Sequence, residues 1–293
     1  MAEPRIAGVE LGGTKTILVL ANGTEIVEQV SIPTQAPDIT LAAANARLRE
    51  WHAVAPIAGL GIASFGPLDL ARGVMLPTPK PHWTDAPIRD ALNAGIDGPV
   101  VIDTDVNGAA LAEYRWGAGA QHGFTSLCYI TIGTGLGGGI VIDGVPLHGA
   151  MHPEIGHIRV RRAPGDDFAG VCRFHGDCLE GLVSGPALAA RFGMDGSQIP
   201  DDHPGWQNVA IEIADAIATL FLMTSVEAVL IGGGVGTARA SLLPTIRACV
   251  LESLAGYLPF VTSDSVATRI AHPALGDRAG PMGALALALD ALD

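Results

Sequence analysis

Two glycine-dense turns constrain this chain more than anything else in it. RIAGVELGGTKTILVLA and SLCYITIGTGLGGGIVIDG each run from an apolar stretch through glycines straight into a second apolar stretch. Glycine fingerprints for phosphates and dinucleotides must open a helix, and here β-branched runs follow instead. Gly133, Gly135 and Gly138 carry dinucleotide spacing, yet IVID comes next, so that reading fails. LGGTK likewise lacks the four residues a P-loop places before its Gly-Lys pair. Both segments are therefore β-hairpins. One is built near Gly12 and one near Gly135, and each precedes alternating strands and helices, which predicts a duplicated α/β architecture. By itself LGGTK reads as a glycine hairpin with an exposed Lys15. Its backbone, with the hydroxyls of Thr14 and Thr16, also offers what a phosphate needs, as does the turn holding Thr134.

Along the chain, TEIVEQVSIP reads as a third strand, and Ile39 to His52 as a helix capped by Asp38 behind Pro37. IAGLGIASFGPLDL is a buried strand and a loop. Residues 73–84 hold three prolines around Thr78, Lys80 and Trp83, a stiff loop of the kind that positions something. VVIDTDVNGAALAEYRWG places Asp103 and Asp105 where a strand stops and a small-residue helix begins. One aspartate can cap the helix while the other faces a cleft at the strand's carboxyl end. Further on come a helix from about Gly205 to Ser225, the strand AVLI, the cluster Gly232, Gly233 and Gly234, and a closing helix over Pro281–Leu292.

A formal charge of −13, from 17 basic against 30 acidic residues, excludes a nucleic-acid backbone or an anionic membrane as the general partner. Arg159, Arg161 and Arg162 read as a solvated strand face. The longest apolar run is interrupted by Asp215 and Glu227, and the first residues show no leader pattern, so a cytoplasmic location is expected. Cys128 and Cys249 lie in apolar patterns and are expected in the core.

The other two cysteines have metal spacing. His157, Cys172, His175 and Cys178 supply two imidazoles and two thiolates, the set that closes a tetrahedral zinc site with no open position. Four unpaired side chains on a polar loop are the competing reading. In small zinc domains, binding stabilises the fold by an apparent ~10–16 kcal/mol.

VELGGTK, SFGPLDL, TPKPHW, DTDVNGAALAE, YITIGTGLGGG, LHGAMHPEIGH and HGDCLEGLVSGPA, in that order, resemble the motifs of the ROK sugar kinases, and among them the bacterial fructokinase branch. The resemblance implies an actin-like, ribonuclease-H-like duplicated α/β fold. It implies a small lobe over residues 1–117 with 278–293, and a larger lobe over 118–277 carrying the zinc loop. Asp105 matches the catalytic base. Ser64, Gly66, Pro67, Lys80, Thr104, Glu154, His157 and Glu180 match the sugar side. Gly12, Gly13, Thr14 and Lys15 match a first phosphate loop, Thr134 and Gly135 a second, and Gly232, Gly233 and Gly234 the adenosine turn.

The implied cofactors are ATP with Mg²⁺ and a structural Zn²⁺ on His157, Cys172, His175 and Cys178. The implied activity is phosphorylation of the 6-hydroxyl of fructose, with a homodimer as the assembly. Three positions depart from related patterns. Thr104 stands where hexokinase-type members have Asn, Glu10 where they have Asp, and His82 where the fructokinase branch has Gly. A broad hexokinase and a sugar-responsive regulator are the alternatives. Regulators of the family carry a DNA-reading helix module, for which a strand starting at Arg5 leaves no room.

Overall fold

The computed structural model describes residues 3–293, so Met1 and Ala2 of the expected first lobe lie outside the described residues. In chain order the elements begin with β1 (Arg5–Leu11), β2 (Lys15–Asn22), β3 (Glu25–Pro33), α1 (Pro37–Val54), β4 (Leu60–Ser64), β5 (Leu68–Asp69) and β6 (Val74–Met75). Next come α2 (Ile88–Asn93), β7 (Val100–Thr104), α3 (Asp105–Trp116), α4 (Ala118–His122), β8 (Ser126–Ile132), β9 (Leu136–Ile142), β10 (Val145–Pro146), α5 (Leu179–Val183) and α6 (Gly185–Phe192). The chain closes with α7 (Trp206–Thr224), β11 (Ala228–Gly232), α8 (Gly233–Ala238), α9 (Leu243–Leu254), α10 (Val266–Arg269), β12 (Ile270–Ala271) and α11 (Ala279–Asp290).

The elements fall into two compact units. The first takes the described chain up to Trp116, with Val145–His152 and Asp277–Asp293; the second takes Gly117–Gly144 and Pro153–Gly276. The expected division placed its boundaries one residue away, at 117 and 278, and left residues 145–152 with the larger lobe, whereas their contacts group them with the first unit.

In the first unit the strands run in the order β3-β2-β1-β4-β7, with β1–β2–β3 an antiparallel meander and β1, β4 and β7 parallel. β1 and β4 are buried on nearly every residue, as parallel strands covered on both faces are. Helix α11 lies against them so closely that a Cβ on Gly61 would fall 1.9 Å from the Ala284 carbonyl. The same helix meets α3 glycine to glycine, since a Cβ on Gly283 would stand 2.4 Å from the Gly108 backbone. Small residues thus fix where α3 begins.

Helix α1 starts two residues ahead of expectation. Pro37 takes a first-turn position, where its missing N–H costs nothing, and Asp38 falls inside the first turn instead of capping it. The side chain active at that entrance is Thr40, whose Oγ1 accepts from Gln35 N at 2.8 Å.

The second sheet orders β10-β9-β8-β11-β12, again a hairpin, β8–β9, with parallel strands beside it. The core of the second unit centres on α7, which has the length and apolar composition of a membrane span but buries Val209, Ile213, Ile217 and Phe221 among the sheet and α9. Cys128 is fully buried in this core and Cys249 packs against it. Arg159–Arg162 do not form a strand: Arg159 makes one isolated bridge, to Cys178, and the rest is irregular. Nor is Arg162 solvated, because Asp166 and Glu212 hold its guanidinium at 3.1 and 3.2 Å.

Candidate active site and metal centre

In the first unit the site is built where β7 becomes α3. Thr104 Oγ1 accepts from Asn107 N at 3.1 Å, so the threonine supplies the cap that Asp103 or Asp105 was expected to supply. Asp103 is buried at 3% exposure and turned inward, accepting from Thr104 N at 2.7 Å and from Asn107 Nδ2 at 2.9 Å. Its other oxygen takes a hydrogen bond from His148 Nε2 at 2.9 Å. That bond holds the His148 imidazole above its ordinary pKa, against burial, which lowers it.

Asp105 is the first residue of α3, half-buried, with Oδ1 accepting from Val106 N at 2.9 Å. Burial pushes its carboxyl up to about 6, against the Val106 N–H, which lowers it. Glu10, at the end of β1, is pushed to about 7, first by burial and then by the charge of Asp105, with Lys15 pulling the other way. Its Oε2 is buried without a hydrogen-bond partner, and the backbone of Gly280 sits where any Cβ would strike the carboxylate at 2.2 Å. Two desolvated carboxyls with values near neutrality are what proton-transfer chemistry requires.

The first glycine turn closes with Gly12 N donating to Lys15 O at 3.1 Å. Gly13, Thr14 and Lys15 are exposed, and nothing lies within 4 Å of where a Gly13 Cβ would be, so the turn is open on that side. Thr16 is not available beside Lys15. It is fully buried, and its hydroxyl lies 2.8 Å from Thr34 Oγ1, which donates to Gly12 O.

Lys80 reaches this same turn, with Nζ 2.5 Å from the Gly13 carbonyl. Ser64 is fully buried and its hydroxyl donates to Phe65 O at 2.8 Å, so the Gly66–Pro67 backbone, which follows it, is what the loop presents. His82 adopts φ 69°, the left-handed region that glycine enters without strain and that His tolerates better than most residues. That conformation accounts for a glycine in the related PKPGW pattern.

In the second unit the turn at Gly133–Gly135 is tied by Gly133 N to Gly135 O at 2.9 Å, leaving Thr134 exposed. Glu180 belongs to this turn, with Oε2 accepting from Leu136 N at 3.0 Å. Glu154 is exposed, at the start of the short 3₁₀ turn that carries His157. Gly233 has φ 80°, and a Cβ there would come within 2.5 Å of Ile132 N, so only glycine fits. Gly234 is open, with nothing within 4 Å.

His157, Cys172, His175 and Cys178 come together with their donor atoms all within 4.8 Å of one another. The His157 Nδ1 lies 3.5 Å from Cys178 Sγ and 3.8 Å from Cys172 Sγ, and His175 Nδ1 lies 3.7 Å from Cys172 Sγ. Bonds of ~2.3 Å to sulfur and ~2.0 Å to nitrogen at tetrahedral angles put such atoms about 3.6 Å apart, so the set fits zinc. Burial raises the Cys178 thiol to about 11, and Cys172 and Glu180 add to the rise. Bound metal supplies the charge that lets that proton leave. A cluster of ion pairs completes the loop. Arg191 pairs bidentately with Glu212 at 2.7 and 2.8 Å and also with Asp166, and Arg162 joins the same two acids.

Two hairpin-first α/β units, open glycine turns and a desolvated strand-end carboxylate define a duplicated kinase of the actin-like class. The model of the ROK family matches residues 6–291, and the chain belongs to that family. It is 38% identical to the fructokinase of Zymomonas mobilis over 97% of this chain and 96% of that one. It is 36% identical to the fructokinase of Pediococcus pentosaceus over 98% of both. Among solved structures, the ROK hexokinase of Thermus thermophilus is 29% identical and aligns with a TM-score of 0.79 over 98% of both chains.

Sequence reasoning grouped His157, Cys172, His175 and Cys178, and the fold brings those four together. It missed His148 and His152. Both stood in a motif it quoted, and nothing in their spacing told of partners 45 and 84 residues away.

Proposed function

We propose that this chain is an ATP-dependent fructokinase that moves the γ-phosphoryl group of MgATP to the 6-hydroxyl of D-fructose. The carrying observation is Asp105, a half-buried carboxylate at the end of β7 raised to about 6, with Oδ1 held by Val106 N. A carboxylate so placed accepts the proton of a primary hydroxyl as that oxygen attacks phosphorus. Positioned bases of this kind contribute roughly 10²–10⁴-fold. Fructokinase relatives at 36–38% identity over nearly the full length support fructose as the sugar.

The remaining roles follow from what each group has left to offer. The exposed backbone of Gly13, Thr14 and Lys15, in a turn that the Gly12 amide closes, offers stabilisation to phosphate charge, the turn of Thr134 and Gly135 offers a second such place, and Lys80 stiffens the first turn through the Gly13 carbonyl. Gly232, Gly233 and Gly234 receive the nucleoside. In the second unit Glu154 and Glu180 are the carboxylates that accept from sugar hydroxyls, and in the first unit Gly66 and Pro67 offer backbone for a sugar. Thr104 keeps its hydroxyl proton for donation while its lone pair caps α3.

His157 joins the two tasks. Its Nδ1 faces the sulfurs, which leaves Nε2–H for a hydroxyl. Zinc on the His157, Cys172, His175 and Cys178 set supplies structural cross-linking and no chemistry. The reading carries with it a homodimer, checked by light scattering, and a cytoplasmic location.

Coupled assays over fructose, mannose, glucose and N-acetylmannosamine test the assignment. Fructose should give the highest kcat/KM, and strong glucose turnover with little on fructose would return the hexokinase reading.

A further inference from the structure

The eight residues Val145–His152 group with the first unit although the chain on both sides of them belongs to the second. Two histidines attach this strap to the first unit at separate places. His148 Nε2 donates to Asp103 Oδ2 at 2.9 Å, and the same Asp103 holds Thr104 N and Asn107 Nδ2 through its other oxygen. Asp105 stands between Thr104 and Asn107, so Asp103 grips the turn on both sides of it. β10 also packs beside α3.

At the far end of the strap, His152 is buried at 6% exposure, and its Nε2 accepts from Leu68 N at 3.0 Å. Leu68 follows the Gly66–Pro67 pair. The ring also lies against Gly66 itself, with Cε1 3.5 Å from where a Cβ would stand. The two rings are used in opposite senses. His148 gives a proton at Nε2 to an acid, whereas His152 keeps a lone pair at Nε2 for a backbone N–H.

We infer that Val145–His152 is a positioning strap: His148 fixes the turn that carries the catalytic Asp105, and His152 independently fixes the Gly66–Pro67 loop that meets the sugar. The strap rests on the assignment of Asp105 as base and of that loop as sugar-side. Neither histidine touches the reacting atoms, so their effects separate by kinetic parameter. Loosening the turn misaims the base after substrate is bound and lowers kcat. Loosening the loop weakens ground-state binding and raises KM.

The test uses the full-length zinc-loaded protein and four variants, His148→Ala, His148→Gln, His152→Ala and His152→Gln. A glutamine amide reaches about as far as Nε2 and offers both an N–H and a carbonyl, so it can replace either bond. His148→Ala should lower kcat for fructose 10- to 100-fold with the fructose KM within threefold, and His148→Gln should recover at least a third of kcat. His152→Ala should raise the fructose KM tenfold or more with kcat within threefold, and His152→Gln should restore it. The ATP KM should move less than twofold throughout.

Hydrogen exchange supplies a readout independent of turnover. His148→Ala should speed exchange in residues 103–110 and His152→Ala in residues 65–70, neither affecting the other's segment. That pattern in a protein inactive on every sugar would sustain the strap and sink the kinase assignment. Both alanine variants changing kcat and KM alike, or both segments exchanging faster in each, overturns the strap. Should an alanine variant fail to fold, its glutamine counterpart decides: a native melting temperature with activity still depressed as above refutes the bond assigned to that ring.

Discussion

Asp105 shows how one residue's surroundings set both its chemistry and its cost. Its carboxyl is raised to about 6 mainly by burial, so between about pH 4 and 6 the folded chain binds a proton that the unfolded chain releases. Stability therefore falls as pH rises through that window, and above it the folded protein carries an ionisation penalty. Full burial would make that nearly 3 kcal/mol, and partial exposure reduces it to about 1–2 kcal/mol. Asp105→Asn should thus lower kcat by at least 10²-fold while raising the melting temperature at pH 7–8, the gain vanishing near pH 3. Calorimetry at the two pH values checks the sign, and a destabilised variant at pH 8 would mean that the carboxylate serves the helix instead. The motif DTD revealed both acids to sequence reading but not their division of labour. Capping depends on helix phase to within one residue, and the phase, fixed by Gly108 against Gly283, hands the cap to Thr104. His82 was illegible for the opposite reason, since a backbone angle of +69° leaves no mark on a side chain that tolerates it.

At the scale of elements, the zinc loop is fastened twice. The metal set holds one end, and the other is held by Arg191 and Arg162 against Asp166 and Glu212, which tie the loop to α6 and α7. Glu212 is fully buried, and burial raises its carboxyl despite Arg191. Asp166 ends up lowered: burial raises it, but the Phe168 N–H and the charges around it outweigh that. Removing one member of so enclosed a set leaves an uncompensated charge, whose cost usually exceeds what the intact pair contributes. Arg191→Met should therefore destabilise the protein by about 3–5 kcal/mol in urea unfolding at pH 7, with zinc still bound stoichiometrically. A loss under 1 kcal/mol would show that Arg162 alone satisfies both acids. The sequence could not announce this cluster, because Asp166 lies only four residues past Arg162 but Arg191 and Glu212, which complete the set, come from helices 29 and 50 residues further on. The metal set was legible because three of its four ligands fall within seven residues.

At the scale of the molecule, each unit has its own core. Leu18, Leu48, Ile62 and Trp83 belong to one cluster, and Ile130, Ile213, Phe221 and Val229 to the other. The duplication was readable because a hairpin opens each half, and period-two runs broken by glycine survive in any context. What was not readable was the strap, since eight residues carry too little pattern to declare which unit claims them. Separate cores make metal loss a regional event. Cys178 is two residues from Glu180, and Glu180 holds Leu136 N of the second glycine turn, so freeing the loop also frees that turn. Stripping zinc with a chelator should accelerate amide exchange over residues 153–183 and again at 133–137. Strands β1, β4 and β7, which pair with one another in the first unit, should exchange as before. Sugar affinity should fall with metal loss while Asp105 keeps its pH dependence. Acceleration spread evenly over both units would mean that the two cores unfold as one, and a quiet 133–137 segment would mean that Glu180 is not the link.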